Sequence, residues 1–300
     1  MRDFTRKHLP WIILICLSFI WGSSFILMKK SLLFFKPDQM AALRIFIAML
    51  VLLPFVAGKL RNLRKKDFLL ITLIGFLGNG IPAFAFSFAQ TVLDSSVSGI
   101  LNSLVPMFTL FAGILFFRLR PIPLHYIGVM IGFGGAVSLI YFHRNENTAY
   151  ALWGALLVTA ATICYAFNVN IIKKYLAQFD PVLITGGGLL VTGLCSFSYL
   201  LFSGTFSTLS GCSACLEGLG YIAILSVVGS ALAVIVFNYL IKISSPLFSS
   251  SVTYMIPVFA IGWGIIDGER GTWIDLASVV IILAGVYLVN YKPKSAEKHE

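Results

Sequence analysis

The chain has 300 residues, of which 58% are hydrophobic and only 11% are charged, and its mean hydropathy is +0.92. Soluble domains carry about 25% charged residues, so the composition excludes a soluble protein and indicates an all-α integral membrane protein. The net charge of +10 would suggest nucleic acid as a partner of a soluble protein. Here the basic residues lie between apolar segments, and no nucleic-acid partner is predicted.

Ten apolar segments follow one another along the chain, each about as long as the ~20 residues that a bilayer-spanning helix needs. They are residues 9–28, 38–57, 68–93, 96–117, 123–142, 149–171, 181–203, 218–241, 246–266 and 273–291. The first has full spanning length and another span follows closely, so it is interpreted as a retained helix rather than a signal peptide. Short tails, 1–8 and 292–300, flank the ten predicted transmembrane helices.

The distribution of lysine and arginine predicts the orientation. Sixteen of these residues lie on the side of the N-terminus, five lie on the other side, and Arg44 lies within a span. An excess of basic residues is typical of cytoplasmic loops. We therefore expect a multi-pass protein of the bacterial cytoplasmic (inner) membrane with both termini in the cytoplasm, although Lys29, Lys30 and Lys36 are exceptions on the outer side.

The second half of the chain repeats the first. Residues 21–30 align with 165–174 at a shift of 144, and residues 98–106 align with 249–257 at a shift of 151. The seven additional residues fit the long loop near 204–217.

This repeat predicts two units of five spans, 9–142 and 149–291. Because five is an odd number, the second unit enters the membrane from the opposite side. Inverted repeats of this kind are typical of transporters, in which rocking of one half against the other alternates access to a site near the midplane.

The stretch GNGIPAF, residues 78–84, interrupts the third span. Pro82 removes one backbone hydrogen bond, and Gly78 and Gly80 loosen the turn before it. The second half has Gly229 at the position that matches Gly78. Weak positions in both halves favour a helix that lines a midplane cavity over a kink of only structural use.

The acidic residues and histidines lie outside the central parts of the predicted spans. All twelve carboxylates lie in tails, connections or span ends, whereas proton relays and intramembrane cation sites normally need buried acids. This distribution argues against proton-coupled drug antiport, and the absence of a catalytic pair at depth argues against an enzyme. No cofactor is predicted. Cys212 and Cys215 form a CSAC segment that is a weak metal motif by itself, and whether they form a disulfide stays open.

Polar and aromatic side chains within the spans outline a candidate substrate site. Each asparagine is as consistent with bonding between helices as with substrate contact, but their distribution over repeat-related spans favours a shared cavity. With no fixed charge expected in it, the cavity would suit a small uncharged or zwitterionic solute with an apolar or aromatic portion. The predicted lining is Trp21, Ser24, Asn79, Phe84, Asn102, Tyr165, Asn168, Asn238 and Tyr254.

Arg44 is the one charge well inside a span. It could anchor a ligand carboxylate at the outer mouth of the cavity. Alternatively, it is a structural arginine that reaches the interface or pairs with Asp267, Glu269 or Asp94. The sequence leaves both interpretations open.

Several short motifs accompany the repeat. They are Trp21-Gly22-Ser23-Ser24, Leu43-Arg44, Pro106 and Pro257, Gly128 with Gly132 and Gly135, Gly268-Glu269-Arg270, and Ala284-Gly285-Val286. Together they resemble the drug/metabolite transporter superfamily, specifically the EamA-type bacterial exporters. The resemblance implies a basket of ten helices, a central cavity lined by spans one, three, four, six, eight and nine, and export of amino acids or other small metabolites. The chain departs from the pattern at Phe117-Arg118, where a glycine–glutamate turn is expected.

One alternative shares this fold. A lipid flippase or scramblase could use the same helices and basic inner loops, and a lipid-facing groove lined by polar residues would favour it. An enclosed cavity would instead favour a protein that lies in the lipid bilayer and carries small-molecule substrates across it. The sequence does not distinguish a monomer from a homodimer.

Overall fold

The computed structural model describes residues 2–61, 63–93, 95–142, 148–206, 209, 215–267 and 273–290. Within these ranges the chain forms helices and no strands. The helices are α1 (Arg2–Ser31), α2 (Pro37–Leu60), α3 (Lys65–Ala89), α4 (Ser95–Asn102), α5 (Val105–Phe117), α6 (Pro123–Phe142), α7 (Thr148–Ile171), α8 (Pro181–Phe202), α9 (Cys215–Ile243), α10 (Pro246–Ile266) and α11 (Trp273–Asn290).

Seven of the helices in the described ranges, namely α1, α2, α3, α7, α8, α9 and α10, are long and apolar enough to cross a membrane. Helix α5 and part of α11 are shorter and apolar. Large apolar side chains remain exposed on the outside, among them Leu115, Phe202 and Trp273, as expected of a surface that faces lipid. The prediction of an all-helical, multi-pass membrane protein is confirmed.

The predicted fourth span is not one continuous helix. It divides into α4 and α5 at residues 103–104, and Pro106 lies in the first turn of α5. A proline is tolerated there because the amide hydrogens of the first turn have no partner within the helix. Helix α10 has a similar interruption at Ser251.

Two helices contain π-helical stretches at positions that the repeat relates. In α3 the stretch is Phe76–Gly80 and in α9 it is Leu225–Leu232; at a shift of 151, the first falls on residues 227–231, inside the second. Pro82 cannot donate a hydrogen bond to the carbonyl of Gly78, four residues earlier, so a regular α-helical ladder cannot form there. Such widened turns are frequent at functional sites.

Helices α2 and α8, the second helix of each half, pack against each other. Val56 lies against Gly186, and Met49, seven residues earlier, lies against Gly193, seven residues later. The two helices therefore run antiparallel, which is the relation that an inverted repeat requires of its matching members.

A second close contact joins α8 to α3. A Cβ atom at Gly75 would lie 2.5 Å from the carbonyl oxygen of Gly188, and one at Gly188 would lie 2.8 Å from the Cα atom of Gly75. The two backbones thus touch directly, with no space for a side chain at either residue.

The lysines at the ends of α1 and α7, the first helices of the two halves, have different partners. At the end of α1, Lys29 and Lys30 lie 2.8 and 3.4 Å from the carboxylate of Asp267, which follows α10. Just beyond the matching end of α7, in the π-helical turn Ile172–Leu176, the ammonium of Lys174 lies 5.5 Å from the centre of the Phe117 ring. The lysine near the end of α1 therefore meets a carboxylate, whereas Lys174 meets an aromatic ring.

The ion pair of Asp267 gives a prediction about pH. The hydrogen bond from Lys29 holds the pKa of Asp267 below its ordinary value of 3.8. A group whose pKa is lowered in the folded state stabilises the protein at pH values above its unfolded-state pKa. This stabilisation is lost as the pH falls through the folded-state pKa. The difference in melting temperature between the wild type and Asp267→Asn should therefore be small and constant from pH 5 to 8, and should shrink below about pH 4. A difference that varies between pH 5 and 8 would contradict this.

Candidate functional site

A cavity of about 90 Å³ lies at the centre of the helices. Its wall comes mainly from α1, α3, α7 and α9, with residues from α2, α4, α5 and α10. The lining is Trp21, Ser24, Phe25, Met28, Arg44, Gly78, Asn79, Phe86, Asn102, Val105, Tyr165, Asn168, Val169, Gly229, Val234, Phe237, Thr253 and Ile256. Ligand pockets typically measure about 300–1,000 Å³, so this cavity is smaller than a typical ligand site.

The structure brings six of the nine predicted site residues together in this wall, namely Trp21, Ser24, Asn79, Asn102, Tyr165 and Asn168. It places Phe84, Asn238 and Tyr254 elsewhere. Asn238 donates a hydrogen bond to Thr185 on α8 at 2.8 Å, and Tyr254 is fully buried against Gly132 of α6. Phe84 packs edge-on against Tyr199. None of the three residues is part of the cavity wall.

Because Asn238 connects α9 to α8, its replacement gives a prediction that concerns stability. Asn238→Leu should lower the melting temperature modestly, since the lost hydrogen bond is worth about 0.5–1.5 kcal/mol. The hydroxyl of Thr185 still donates to the carbonyl of Pro181 at 2.9 Å, so no buried donor is left without a partner. Solute flux per folded molecule should stay unchanged. A change in solute preference would place Asn238 in the site after all.

The cavity wall is close to two-fold symmetric. Most lining residues occur as pairs related by a shift of 144 or 151, so the two halves contribute equivalent faces. The pairs are Trp21 with Tyr165, Ser24 with Asn168, Phe25 with Val169, Gly78 with Gly229, Phe86 with Phe237, Asn102 with Thr253, and Val105 with Ile256. Gly229 was matched to Gly78 from the sequence, and Thr253 and Phe237 are the repeat mates of Asn102 and Phe86.

The π-helical stretches supply backbone to this wall. Gly78 and Gly229 both line the cavity, and the carbonyl of Gly229 accepts a hydrogen bond from the indole of Trp21 at 3.0 Å. The amide of Asn168 lies against Gly78, where a Cβ atom would come within 2.9 Å of its Nδ2. Glycine at this position therefore leaves the space that the asparagine occupies.

Arg44 lies in the wall of the same cavity rather than at a separate mouth. Its Nε donates to the hydroxyl of Ser230 at 2.7 Å, and its Nη1 lies 3.6 Å from the sulfur of Met28. The expectation that the cavity carries no fixed charge was wrong, because the position of Arg44 in the sequence does not show that its guanidinium reaches inward between α1 and α9.

The suggested ion pairs of Arg44 do not form in the described part of the chain. Asp267 is paired with two lysines of α1, while Asp94 and Glu269 lie outside the described residues. Among the residues that the structure describes, no carboxylate lies within ion-pair distance of Arg44.

Two asparagines in the wall have acceptors without a partner. Within the part of the chain that the structure describes, the side-chain oxygens of Asn102 and Asn168 are buried and make no hydrogen bond, although the residues are only 5% and 7% exposed. Buried polar atoms in native proteins are nearly always hydrogen-bonded. These two oxygens are therefore available to water or to a ligand in the cavity.

A larger groove of about 570 Å³ opens between α1, α9 and α10. Its wall is mostly apolar, and Lys30 and Asp267 lie at one end. Ser24 and Gly229 line both the groove and the central cavity, so the two spaces are neighbours.

The sequence predicted no metal site, and the structure describes only part of the side chains that could form one. Within the described ranges, no three histidine, cysteine, aspartate or glutamate residues lie together so that they could hold a metal ion. Cys212, the first cysteine of the CSAC segment, lies outside those ranges.

Known proteins resemble this chain over nearly its whole length. The "Uncharacterized inner membrane transporter YedA" of Escherichia coli K12 is 29% identical over 96% of this chain and 95% of its own. An "Uncharacterized transporter" of Archaeoglobus fulgidus is 25% identical over 93% and 98%. A crystal structure at 17% identity shares the fold, with a TM-score of 0.69 over 94% of this chain and 96% of the other. The EamA-like transporter family matches residues 9–141 and again 152–291, and the chain belongs to that family.

Proposed function

We propose that this membrane transporter moves a small neutral or zwitterionic metabolite, such as an amino acid, through the central cavity by alternating access. The observation that carries the proposal is the near two-fold wall, to which both halves contribute equivalent residues. A site on the axis between inverted repeats is exposed to either side when one half rocks against the other. The small volume of the cavity fits a state between two such openings.

The proposed setting is the inner membrane, crossed ten times, with both termini in the cytoplasm. The seven helices of spanning length, the shorter apolar α5 and α11, and the 20-residue α6 support it. The excess of basic residues on one side and the name of the Escherichia coli relative also support it. The proposed direction is export, which the resemblance to EamA-type exporters implies. Labelling of single cysteines placed in the loop at 205–217 from the outside tests the orientation, and labelling only from the cytoplasm would refute it.

The proposed transport needs no proton gradient. No carboxylate lines the cavity within the described residues, and a membrane-buried acid is the usual carrier of a coupled proton. Proteoliposomes loaded with a mixture of amino acids and other small metabolites should release one or more of them down their own gradient, as measured by mass spectrometry. Release that strictly requires a pH difference, or no release above protein-free liposomes, would count against the proposal.

The groove between α1, α9 and α10 supports a second candidate function. Its apolar wall and its charged residues at one end would accommodate a lipid with its headgroup, as a flippase or scramblase requires. Reconstitution with a fluorescent phospholipid separates the two candidates. Exposure of inner-leaflet lipid to an impermeant quencher, without release of metabolites, would favour the lipid transporter.

A further inference from the structure

We propose that Arg44 anchors the carboxylate of the transported solute and that the amide oxygens of Asn102 and Asn168 accept hydrogen bonds from its ammonium group. The solute class is then a small zwitterion with both groups close together. This inference rests on transport through the central cavity and adds the chemistry by which the cavity selects its solute.

The charge of Arg44 is not neutralised by the described protein. Its guanidinium carries five N–H donors, of which one meets the hydroxyl of Ser230 and another approaches the sulfur of Met28. A charge among apolar helices is costly unless it is paired and hydrogen-bonded. A carboxylate is the ligand group that matches a guanidinium in charge and in fork geometry.

Arg44 also breaks the symmetry of the site. Its repeat mate at a shift of 144 is Gly188, which packs directly on the backbone of Gly75 and contributes no side chain. The otherwise two-fold cavity therefore has a positive charge on the side of α2 and none on the side of α8. An asymmetric solute is oriented by this difference, with its carboxylate towards α2.

The unpartnered amide oxygens indicate a donor on the solute. Asn102 and Asn168 are more than nine-tenths buried, line the cavity, and have oxygens that make no hydrogen bond to any described residue. Two acceptor oxygens in the wall disfavour a solute that carries only negative charge. A single arginine would also bind a phosphate group only weakly. A zwitterion satisfies the arginine and the amides together.

The test compares each solute with its own carboxamide, which lacks the negative charge. Proteoliposomes are loaded with an equimolar mixture of the neutral L-amino acids and their carboxamides, and release is measured by mass spectrometry. At least one amino acid should leave the wild type about tenfold or more faster than its carboxamide, because hydrogen bonds to charged groups discriminate at this level. In Arg44→Gln that ratio should fall towards one, and Arg44→Lys should retain part of it.

Lys59→Gln is the matched control, because it removes a positive charge whose partner is Asp180, outside the cavity. It should keep the wild-type ratio. An Arg44→Gln variant that slows amino acids and carboxamides equally, or leaves their ratio unchanged, would overturn the assignment.

A binding measurement separates this inference from the proposed transport. Melting temperatures of the purified protein are recorded with each amino acid and each carboxamide, since a ligand that binds only the folded state raises the melting temperature. Stabilisation by the acid but not the amide, lost in Arg44→Gln, would support the anchor even if no release occurred. If no amino acid stabilises the wild type more than its carboxamide, the anchor is wrong, whatever the liposomes show.

Discussion

Gly75→Leu should prevent most of the protein from reaching its folded state. The new side chain would start with its Cβ atom 2.5 Å from the carbonyl oxygen of Gly188. Backbone atoms on both sides cannot rotate away as a flexible side chain can, so α3 and α8 would have to separate along the whole contact. Overpacking of this kind costs about 1–3 kcal/mol, and more where the backbone must shift.

The measurement is the monodisperse yield in detergent together with the melting temperature of the remaining fraction. Gly58→Leu on α2 is the matched control, because among the described residues beyond its own turn of helix no atom lies within 4 Å of a Cβ atom at Gly58. It should behave like the wild type. Equal yields and melting temperatures of both variants would show that the contact of Gly75 with Gly188 does not hold the two helices together.

Asn168→Leu should reduce solute flux strongly and leave the fold intact. Within the described residues the amide oxygen of Asn168 makes no hydrogen bond, so its removal breaks no described hydrogen bond between helices, and leucine is of similar size. A lost hydrogen bond to a bound solute costs about 1–3 kcal/mol, which corresponds to about a five- to 150-fold loss of affinity.

Asn238→Leu is the matched comparison for Asn168→Leu, because it should change stability and not flux. Asn238 does bond between helices, so its loss should affect the melting temperature and not the flux per folded molecule. Flux from liposomes and melting in detergent, measured on both variants, separate the two roles. If Asn168→Leu instead lowers stability and leaves flux unchanged, its amide serves packing and the solute binds elsewhere.

The sequence predicted the helical fold and much of the cavity because both depend on patterns that the chain carries twice. The pairing of Trp21 with Tyr165, and of Gly78 with Gly229, follows from alignment of the halves. Both pairs lie in the cavity wall. The interruption at GNGIPAF was also recognisable, since the proline fixes its position.

The differences between the predicted and the observed lining of the cavity depend on how each helix is rotated about its axis. Asn102 and Asn238 are both asparagines at membrane depth, yet only the first lies in the cavity wall. In a helix that is apolar on all sides, the sequence gives no periodic pattern from which the inward face could be predicted. The inward reach of Arg44 depends on the contacts between α1, α2 and α9, which involve residues far apart in the chain.

The most direct test of solute transport through the central cavity is cysteine modification in a cysteine-free background. Asn79 lines the central cavity, and Val228 lines the groove between α1, α9 and α10. A membrane-impermeant thiol reagent should label Asn79→Cys from either side of the membrane, as alternating access requires, and should stop metabolite release, while amino acids slow the labelling. The same treatment of Val228→Cys should leave release largely intact. Release that survives modification at Asn79 and stops on modification at Val228 would contradict the central-cavity route.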